Sequence, residues 1–316
     1  MTNPNRSGER PVAIVLGCND VGSAVACALH ATGWAVVLVD DVDPPWHRRG
    51  MAFTNAWYIG NAELDGAGAC FCASLKSIPS VLAHGMIAAT TWSWGNVADA
   101  LHAELLVDAG RSHRRPETLR GRVPFTIGIG PDFVAGENVD VALEALPDAP
   151  DAAASSTQGR DELASRVRRK SYVVASTRYG RFMTERRIGD SVRAGEKIGA
   201  VGNQTVAAPA SGVLLGLAAR GARIEPGDEL VEVDASGIPY RCHGIAAGPR
   251  KVAEGVIDVI AARSASAATG VQATIANSRV SMPSAPAPVL PAEMVATLAP
   301  PAPTGEAPAG RPVIGP

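Results

Sequence analysis

Runs of apolar residues alternate with amphipathic segments in the first half of the chain. Val12–Leu16 and Trp34–Val39 are continuous apolar runs, typical of strands whose two faces are both buried. Between them, Asp20–His30 carries apolar residues at helical spacing, and Gly33 follows as a helix terminator. A strand, a helix and a second strand within about 30 residues form a βαβ unit. The pattern therefore predicts an α/β fold with a parallel sheet.

The same alternation continues further along the chain. Strands are predicted over residues 86–91, 105–107 and 125–129, with a short helix over Asn96–Ala103. From Pro147 the composition changes to Pro, Asp, Ala and Ser, which indicates a domain boundary. We predict a Rossmann-like α/β domain over residues 1–146, followed by a linker over residues 147–170.

After the linker, short predicted strands are separated by Gly and Pro, and an internal repeat is visible. The pattern Gly-x-x-Val-x-x-Gly-Glu-x-Ile-x-x-Val that begins at Gly189 recurs 32 residues later from Gly221, with conservative replacements. Each copy predicts a strand, a tight Gly–acid turn and a second strand. This layout resembles the barrel-sandwich hybrid of biotinyl and lipoyl domains. We predict such a β domain over residues 171–262, including a C-terminal helix over Arg250–Ala261.

The composition of the C-terminal segment predicts its order, and the charge and cysteines of the whole chain exclude some classes of function. Residues 263–282 are rich in Ser, Ala and Thr, and residues 283–316 hold ten of the 24 prolines, which predicts a disordered linker and tail over 263–316. The 29 basic and 31 acidic side chains give a net charge of −2, which argues against nucleic-acid and membrane partners. Five cysteines without a CxxC pair and a polar start without an apolar leader predict a cytoplasmic protein.

The strongest candidate for ligand binding is the first strand–helix turn, Gly-Cys-Asn-Asp-Val-Gly. Phosphates bind where a glycine-rich turn opens a helix, because backbone N–H groups there lack intrahelical partners. Gly17 would form the tight turn and Gly22 would allow close helix–sheet packing, whereas Asn19 replaces the middle glycine of the dinucleotide fingerprint. Asp40 ends the second strand and suits ribose hydroxyls. The alternative is a Rossmann-type turn without a ligand.

Other candidates lie near the same predicted edge of the sheet. They are two arginines on a loop, an aspartate at a strand end and a second glycine-rich turn: Arg48, Arg49, Asp108, Gly128, Gly130 and Pro131. Paired arginines can hold phosphate, and ligands collect at the carboxyl ends of parallel strands. A solvated basic loop and ordinary strand-end turns are the alternatives.

Several segments, in their order along the chain, resemble the selenium-dependent molybdenum hydroxylase accessory family of the YqeB type, which is related to XdhC/CoxF-like maturation factors. They are GCNDVGS from Gly17, WHRRGMAFTNA from Trp46, VDA from Val107, TIGIGPDFVAG from Thr126 and APASGVLLG from Ala208. The resemblance covers about residues 11–262. The chain departs from the family at Asn19, and the family's T-N-R-G-H segment is missing after Glu144.

The resemblance implies a non-catalytic factor that helps to insert or deliver the molybdenum cofactor to a molybdenum hydroxylase of the xanthine or CO dehydrogenase type. The implied partners are the hydroxylase or its assembly factors. The implied ligand is a molybdopterin-type cofactor or a nucleotide, ahead of NAD(P). Two alternatives stay open: an NAD(P)-binding oxidoreductase that uses Gly17, Gly22 and Asp40, and a scaffold that binds a partner protein and no small molecule. Neither catalytic residues nor metal ligands are predicted.

Overall fold

The first half of the chain folds around one sheet in which most neighbouring strands are parallel. The structure is a computed structural model that describes residues 10–110, 118–144, 171–269 and 289–291. Eight strands form the first sheet: β1 (Val12–Leu16), β2 (Ala35–Val39), β3 (Asn61–Leu64), β4 (Ala67–Phe71), β5 (Ile87–Thr90), β6 (Leu105–Asp108), β7 (Thr126–Ile129) and β8 (Val141–Leu143). Their order is β3-β4-β5-β2-β1-β6-β7-β8, and only β3 and β4 pair antiparallel. The order from β5 to β8 is compatible with a Rossmann-like fold.

Helices cover both faces of this sheet. They are α1 (Asp20–Ala31), α2 (Asn55–Ile59), α3 (Ile78–Ala83), α4 (Trp94–Leu101) and α5 (Ala247–Thr269). Within β1, Ala13 and Val15 join the core that includes α1 and α5, while Val12 and Ile14 join the core that includes α3 and α4. Every side chain of this strand meets an apolar layer, which explains why its sequence is continuously apolar rather than alternating.

The C-terminal helix differs from its prediction in length and in placement. The helix α5 continues through residues 263–269, which were assigned to the linker, because Ala and Ser there allow the helix to extend. Its buried Val252 and Val256 lie in the same core as Leu29 of α1. By packing, α5 therefore belongs to the α/β domain, although it follows the β domain in the chain.

The second region consists of short strands in two sheets. Its strands are β9 (Ser171–Ala175), β10 (Gly180–Thr184), β11 (Ser191–Val192), β12 (Lys197–Val201), β13 (Gln204–Ala207), β14 (Gly212–Leu217), β15 (Arg223–Ile224), β16 (Glu229–Asp234) and β17 (Val289–Pro291). The sheet orders are β13-β12-β10-β15 and β11-β14-β16-β9-β17. The strand β17 comes from the predicted tail; the rest of that tail and the predicted linker over 147–170 lie outside the described residues.

The internal repeat is confirmed at the level of single hydrogen bonds. The strands β11 and β12 in one copy correspond to β15 and β16 in the other. In the first Gly–acid turn the Glu196 carboxylate accepts the N–H of Arg193 at 2.9 Å, and in the second the Asp228 carboxylate accepts the N–H of Glu225 at 2.7 Å. Because these bonds span three residues, local sequence specifies both turns. Assignment to the barrel-sandwich hybrid stays a prediction.

Candidate functional site

The glycine-rich turn lies between β1 and α1, at the carboxyl edge of the sheet. Gly17 has a φ of +93°, a conformation that residues with a Cβ rarely adopt, and its N–H donates to the carbonyl of Val39 at 2.9 Å. A Cβ on Gly22 would lie 2.0 Å from the carbonyl oxygen of Gly17. The two glycines therefore form the tight turn and the close helix–sheet contact that the sequence predicts, while their binding of a ligand stays a prediction.

The side chain of Asn19 occupies the position of the middle glycine of a dinucleotide-binding turn. Its Oδ1 accepts the N–H of Gly22 at 2.9 Å, and its Nδ2 donates to the carbonyl of Ala109 at 2.7 Å. The next residue, Asp20, accepts the N–H of Val21 at 2.9 Å. Two N–H groups of the first helical turn, which in a nucleotide site would bind phosphate, are thus bonded to side chains of the turn itself. The Asp20 carboxylate also repels an anion.

Two carboxyl groups lie at this edge, as predicted. The Oδ2 atom of Asp40, directly after β2, accepts the N–H of Cys18 at 2.6 Å. Burial raises the pKa of Asp40, although the Cys18 N–H opposes the shift. The carboxylate of Asp108, at the end of β6, accepts the N–H of Gly110 at 2.9 Å. Burial, opposed by that N–H and assisted by the charge of Asp40, raises the pKa of Asp108 to about 6.

A buried charged cluster connects the turn to the β domain. Glu232 in β16 is 0% exposed, and it accepts two hydrogen bonds from Arg48, from Nε at 2.6 Å and from Nη2 at 3.0 Å. The Nη1 atom of Arg48 lies 3.4 Å from Asp20. His47 lies between Glu232, with Nε2 at 2.9 Å, and Glu229, with Nδ1 at 3.3 Å. We call these five residues the interdomain joint.

The electrostatics of the joint favour an ionised Glu232. Burial alone would raise the pKa of Glu232, but the Arg48 guanidinium and His47 outweigh it and hold the pKa well below its usual range. A buried pair of this kind stabilises little relative to an apolar pair, yet removal of one partner leaves an uncompensated charge in the interior. The joint therefore fixes the position of the β domain against the turn.

The loop that carries the joint is also held by the backbone of the β domain. The N–H of Leu217 donates to the carbonyl of His47 at 2.7 Å, and the N–H of Gly244 donates to Gly50 at 3.1 Å. The guanidinium of Arg49 donates to the carbonyl of Leu217 at 2.8 Å and to the Oδ1 of Asn55 at 2.5 Å. Neither this arginine nor its neighbour in the joint lies on a solvated basic loop, so that alternative is wrong. Phosphate binding by the pair stays a prediction.

The side chain of Phe133 packs over the second glycine-rich turn. Gly128 lies beside Asp108 in the sheet register, and a Cβ on Gly128 would lie 2.1 Å from the ring of Phe133. Gly130 has a φ of +134°, and Pro131 is exposed. The turn lies at the predicted edge of the sheet, and the aromatic ring occupies the space above its first glycine.

Sequence reasoning missed Glu229 and Glu232 entirely. No local signal marked Glu232, because a glutamate between Val231 and Val233 follows the alternation of a strand with one face in solvent. Its burial in the structure requires a partner. The identity of that partner is not visible in the sequence, since Arg48 lies 184 positions away.

Three further observations concern metal binding, membrane crossing and the cysteines. In the part of the chain that the structure describes, no three His, Cys, Asp or Glu side chains are arranged to hold a metal ion. No helix among the same residues is long and apolar enough to cross a membrane. All five cysteines are free thiols, and burial raises the pKa of Cys18 beside Asp40. That thiol therefore does not resemble an activated nucleophile.

Comparison with known proteins shows similarity to an uncharacterized protein, YqeB of Escherichia coli (strain K12). The two sequences are 22% identical over 267 residues, which covers 82% of this chain and 49% of YqeB. The chain thus spans about half the length of this relative. No protein-family model matches the chain, and no solved structure matches it.

Proposed function

We propose that this protein is a non-catalytic accessory factor that helps to insert or deliver the molybdenum cofactor to a molybdenum hydroxylase of the xanthine or CO dehydrogenase type. In this proposal the α/β domain is Rossmann-like, the β domain is a barrel-sandwich hybrid, and the chain is related to the XdhC/CoxF-like maturation factors. The similarity to YqeB supports the proposal because it extends over most of the chain and therefore over both domains.

The internally bonded turn is the observation that carries the non-catalytic part of the proposal. A Rossmann-type domain binds NAD(P) through a first turn whose N–H groups receive the pyrophosphate. Here Asn19 occupies the N–H of Gly22, and Asp20 places a carboxylate at the same helix end. A turn that is bonded internally and connected to a second domain through Arg48 fits a structural role better than a redox role.

The carboxyl groups at the sheet edge fit one part of a pterin or guanine nucleotide. Both rings present adjacent N–H groups, and a carboxylate can accept two parallel N–H bonds. Asp40 and Asp108 lie at the carboxyl edge where ligands of open α/β sheets bind. They suit the heterocycle of such a ligand, whereas the phosphate has no comparable donor set in the first turn.

Loading of the client enzyme tests the proposal directly. A hydroxylase that lacks its molybdenum cofactor is incubated with a cofactor source, with and without this protein, and molybdenum per active site is measured. We expect higher occupancy with the protein, and a smaller increase with Asp40→Asn/Asp108→Asn. The control is Asp99→Asn, an exposed position on α4.

Direct binding measurements separate the rival functions. Calorimetry with NAD, NADP, GTP and a molybdopterin-type ligand, together with native mass spectrometry, should show binding of the pterin or guanine class. Tight NAD(P) binding with turnover of an alcohol or aldehyde would establish the oxidoreductase instead. Binding of the hydroxylase without any small molecule would leave the scaffold.

A further inference from the structure

An open groove lies between α1, α5 and the turn that joins β3 to β4, on the helical face of the α/β domain. Its volume is about 540 Å³, which is within the range of pockets that take a small ligand or several side chains. Apolar side chains line it, including Ala28 and Ala31 from α1 and Ala253 and Ile257 from α5. We call it the α1–α5 groove.

The rim of the groove is acidic. Glu254 and Asp258, one helical turn apart on α5, are both exposed. Asp65 at the hairpin turn forms an ion pair with Arg250 at 2.8 Å, so these two charges compensate each other. Two carboxylates therefore remain beside an apolar depression.

One polar atom in the wall lacks a partner. His30 lines the groove, and among the residues that the structure describes its buried Nδ1 has no hydrogen-bond partner. Burial, assisted by the charge of Arg10, lowers the pKa of His30 and so favours the neutral ring.

We propose that the α1–α5 groove docks a basic amphipathic helix of a partner protein. Apolar residues of that helix enter the depression between α1 and α5, and its Lys or Arg residues pair with Glu254 and Asp258. This inference names a docking surface for the proposed accessory function. It rests on that function only for the identity of the partner, because the cavity and the charge pattern are observed whatever the function is.

The negative charge of the rim favours a basic helix over a second copy of the chain and over the chain's own tail. A second copy of the chain would bring a rim of the same sign against Glu254 and Asp258, and like charges in an interface are unfavourable. The chain's own segment 283–316 carries Glu293 and Glu306 against a single Arg311, so it is not complementary either. A basic segment fits both the apolar floor and the rim. The chain itself carries one at residues 160–170, with five basic and two acidic side chains, so the variants below test it as a competing occupant.

Two synthetic helical peptides of about 18 residues, long enough to form a helix, test the proposal. They share one Leu/Ala face and differ only in polar positions, Lys in one and Glu in the other. Fluorescence anisotropy with the full chain should show binding of the Lys peptide, weaker at higher salt, and at least about tenfold weaker binding of the Glu peptide.

Variants locate the binding surface. Ala31→Trp fills the groove from an exposed position and should weaken the Lys peptide by about tenfold or more. Glu254→Lys/Asp258→Lys should weaken it similarly without adding bulk to the floor. The matched control is Asp99→Lys, a charge reversal on α4 at the opposite face of the sheet, which should bind as the unmodified chain does. Circular dichroism verifies that each variant is folded.

Four results would overturn the proposal: equal binding of the two peptides, no effect of Ala31→Trp, a tenfold gain in peptide affinity when residues 292–316 are removed or the arginines of residues 160–169 are replaced by serine, or concentration-dependent dimers that Ala31→Trp dissolves. The third would make a segment of this chain the occupant, and the fourth a second copy. None of these measurements uses a molybdenum enzyme, so failure here and failure of cofactor loading are distinguishable.

Discussion

The glycine-rich turn and the α1–α5 groove lie on the same helix and differ in how far their atoms are already engaged. At the N-terminal end of α1, Asn19 bonds to both Gly22 and Ala109, and Arg48 is held by Glu232. Along the side of the same helix, the groove is open, and the Nδ1 of His30 has no partner among the described residues. The groups of the glycine-rich turn are bonded to each other, whereas the α1–α5 groove, which no sequence motif marks, is open.

A sequence motif of this kind therefore identifies a backbone geometry before it identifies a ligand. Glycines at Gly17 and Gly22 are required by the positive φ and by a 2.0 Å approach, whether or not a phosphate is bound. Binding, in contrast, requires space and groups that still need partners.

The largest expected effect compares a buried arginine with an exposed one. Arg48→Ala leaves Glu232 charged and buried, so the free energy of unfolding should fall by about 3–5 kcal/mol. Arg250→Ala removes an ion pair at the groove whose side chains are 50% and 34% exposed, and the loss should stay below about 1 kcal/mol. Urea denaturation followed by circular dichroism measures both. Equal losses would contradict the contrast.

The acid dependence of the joint has a defined sign. The pKa of Glu232 in the folded protein lies below its ordinary value of 4.5. Its ionisation therefore stabilises the fold above that pH, and the contribution is lost as the pH falls. The difference between the unmodified chain and Arg48→Ala should therefore shrink below pH 4.5. A difference that grows on acidification would show that Glu232 is not the group concerned.

The same glycine-to-alanine change should have opposite signs in the two regions. Gly22→Ala places a Cβ against the carbonyl of Gly17 and should destabilise the protein by about 2–3 kcal/mol. Gly255→Ala, in the interior of α5 with nothing within 4 Å of the new Cβ, should stabilise it by up to about 1 kcal/mol. Thermal unfolding of the two variants measures both changes. A Gly22→Ala variant as stable as the unmodified chain would mean that the turn is not crowded.

A smaller effect concerns Asp108, the carboxyl group at the sheet edge whose pKa is raised. The pKa of Asp108 rises from 3.8 to about 6 on folding, so protonation of this group favours the folded state. That contribution to stability is lost as the pH increases between the two values. Asp108→Asn should therefore be about 1–2 kcal/mol more stable than the unmodified chain at pH 7, with no difference below pH 4. Urea unfolding as a function of pH measures this. A constant offset at all pH values would indicate a packing effect instead.

The smallest effect concerns the filled position of the turn. Asn19→Gly frees the N–H of Gly22, so dinucleotide binding should tighten by about 1 kcal/mol, the scale of one hydrogen bond. Calorimetry with NAD measures it, with Asn203→Gly at a distant hairpin tip as the control. Binding of NAD by the unmodified chain with no gain from Asn19→Gly would show that the turn is already open.

Much of the fold could be predicted because its signals are local. The apolar runs of β1 and β2 and the helical spacing of α1 identify a βαβ unit within about 30 residues. The repeated Gly–acid turns were visible because each is closed by a hydrogen bond across three residues. In contrast, the length and docking of α5 were not predicted, because Ala and Ser are compatible with both a helix and a linker.

Local sequence accounts for the tight glycine turn, the parallel sheet and the duplicated turns, because backbone geometry and short hydrogen bonds depend on neighbouring residues. The contact of Arg48 with a carboxylate 184 positions away and the bond of Asn19 to Ala109 across the sheet edge form only when distant segments meet. The groove between α1 and α5 arises in the same way. Pairings of this kind depend on which surfaces meet after the chain has collapsed, and residue order alone does not encode them in any local pattern.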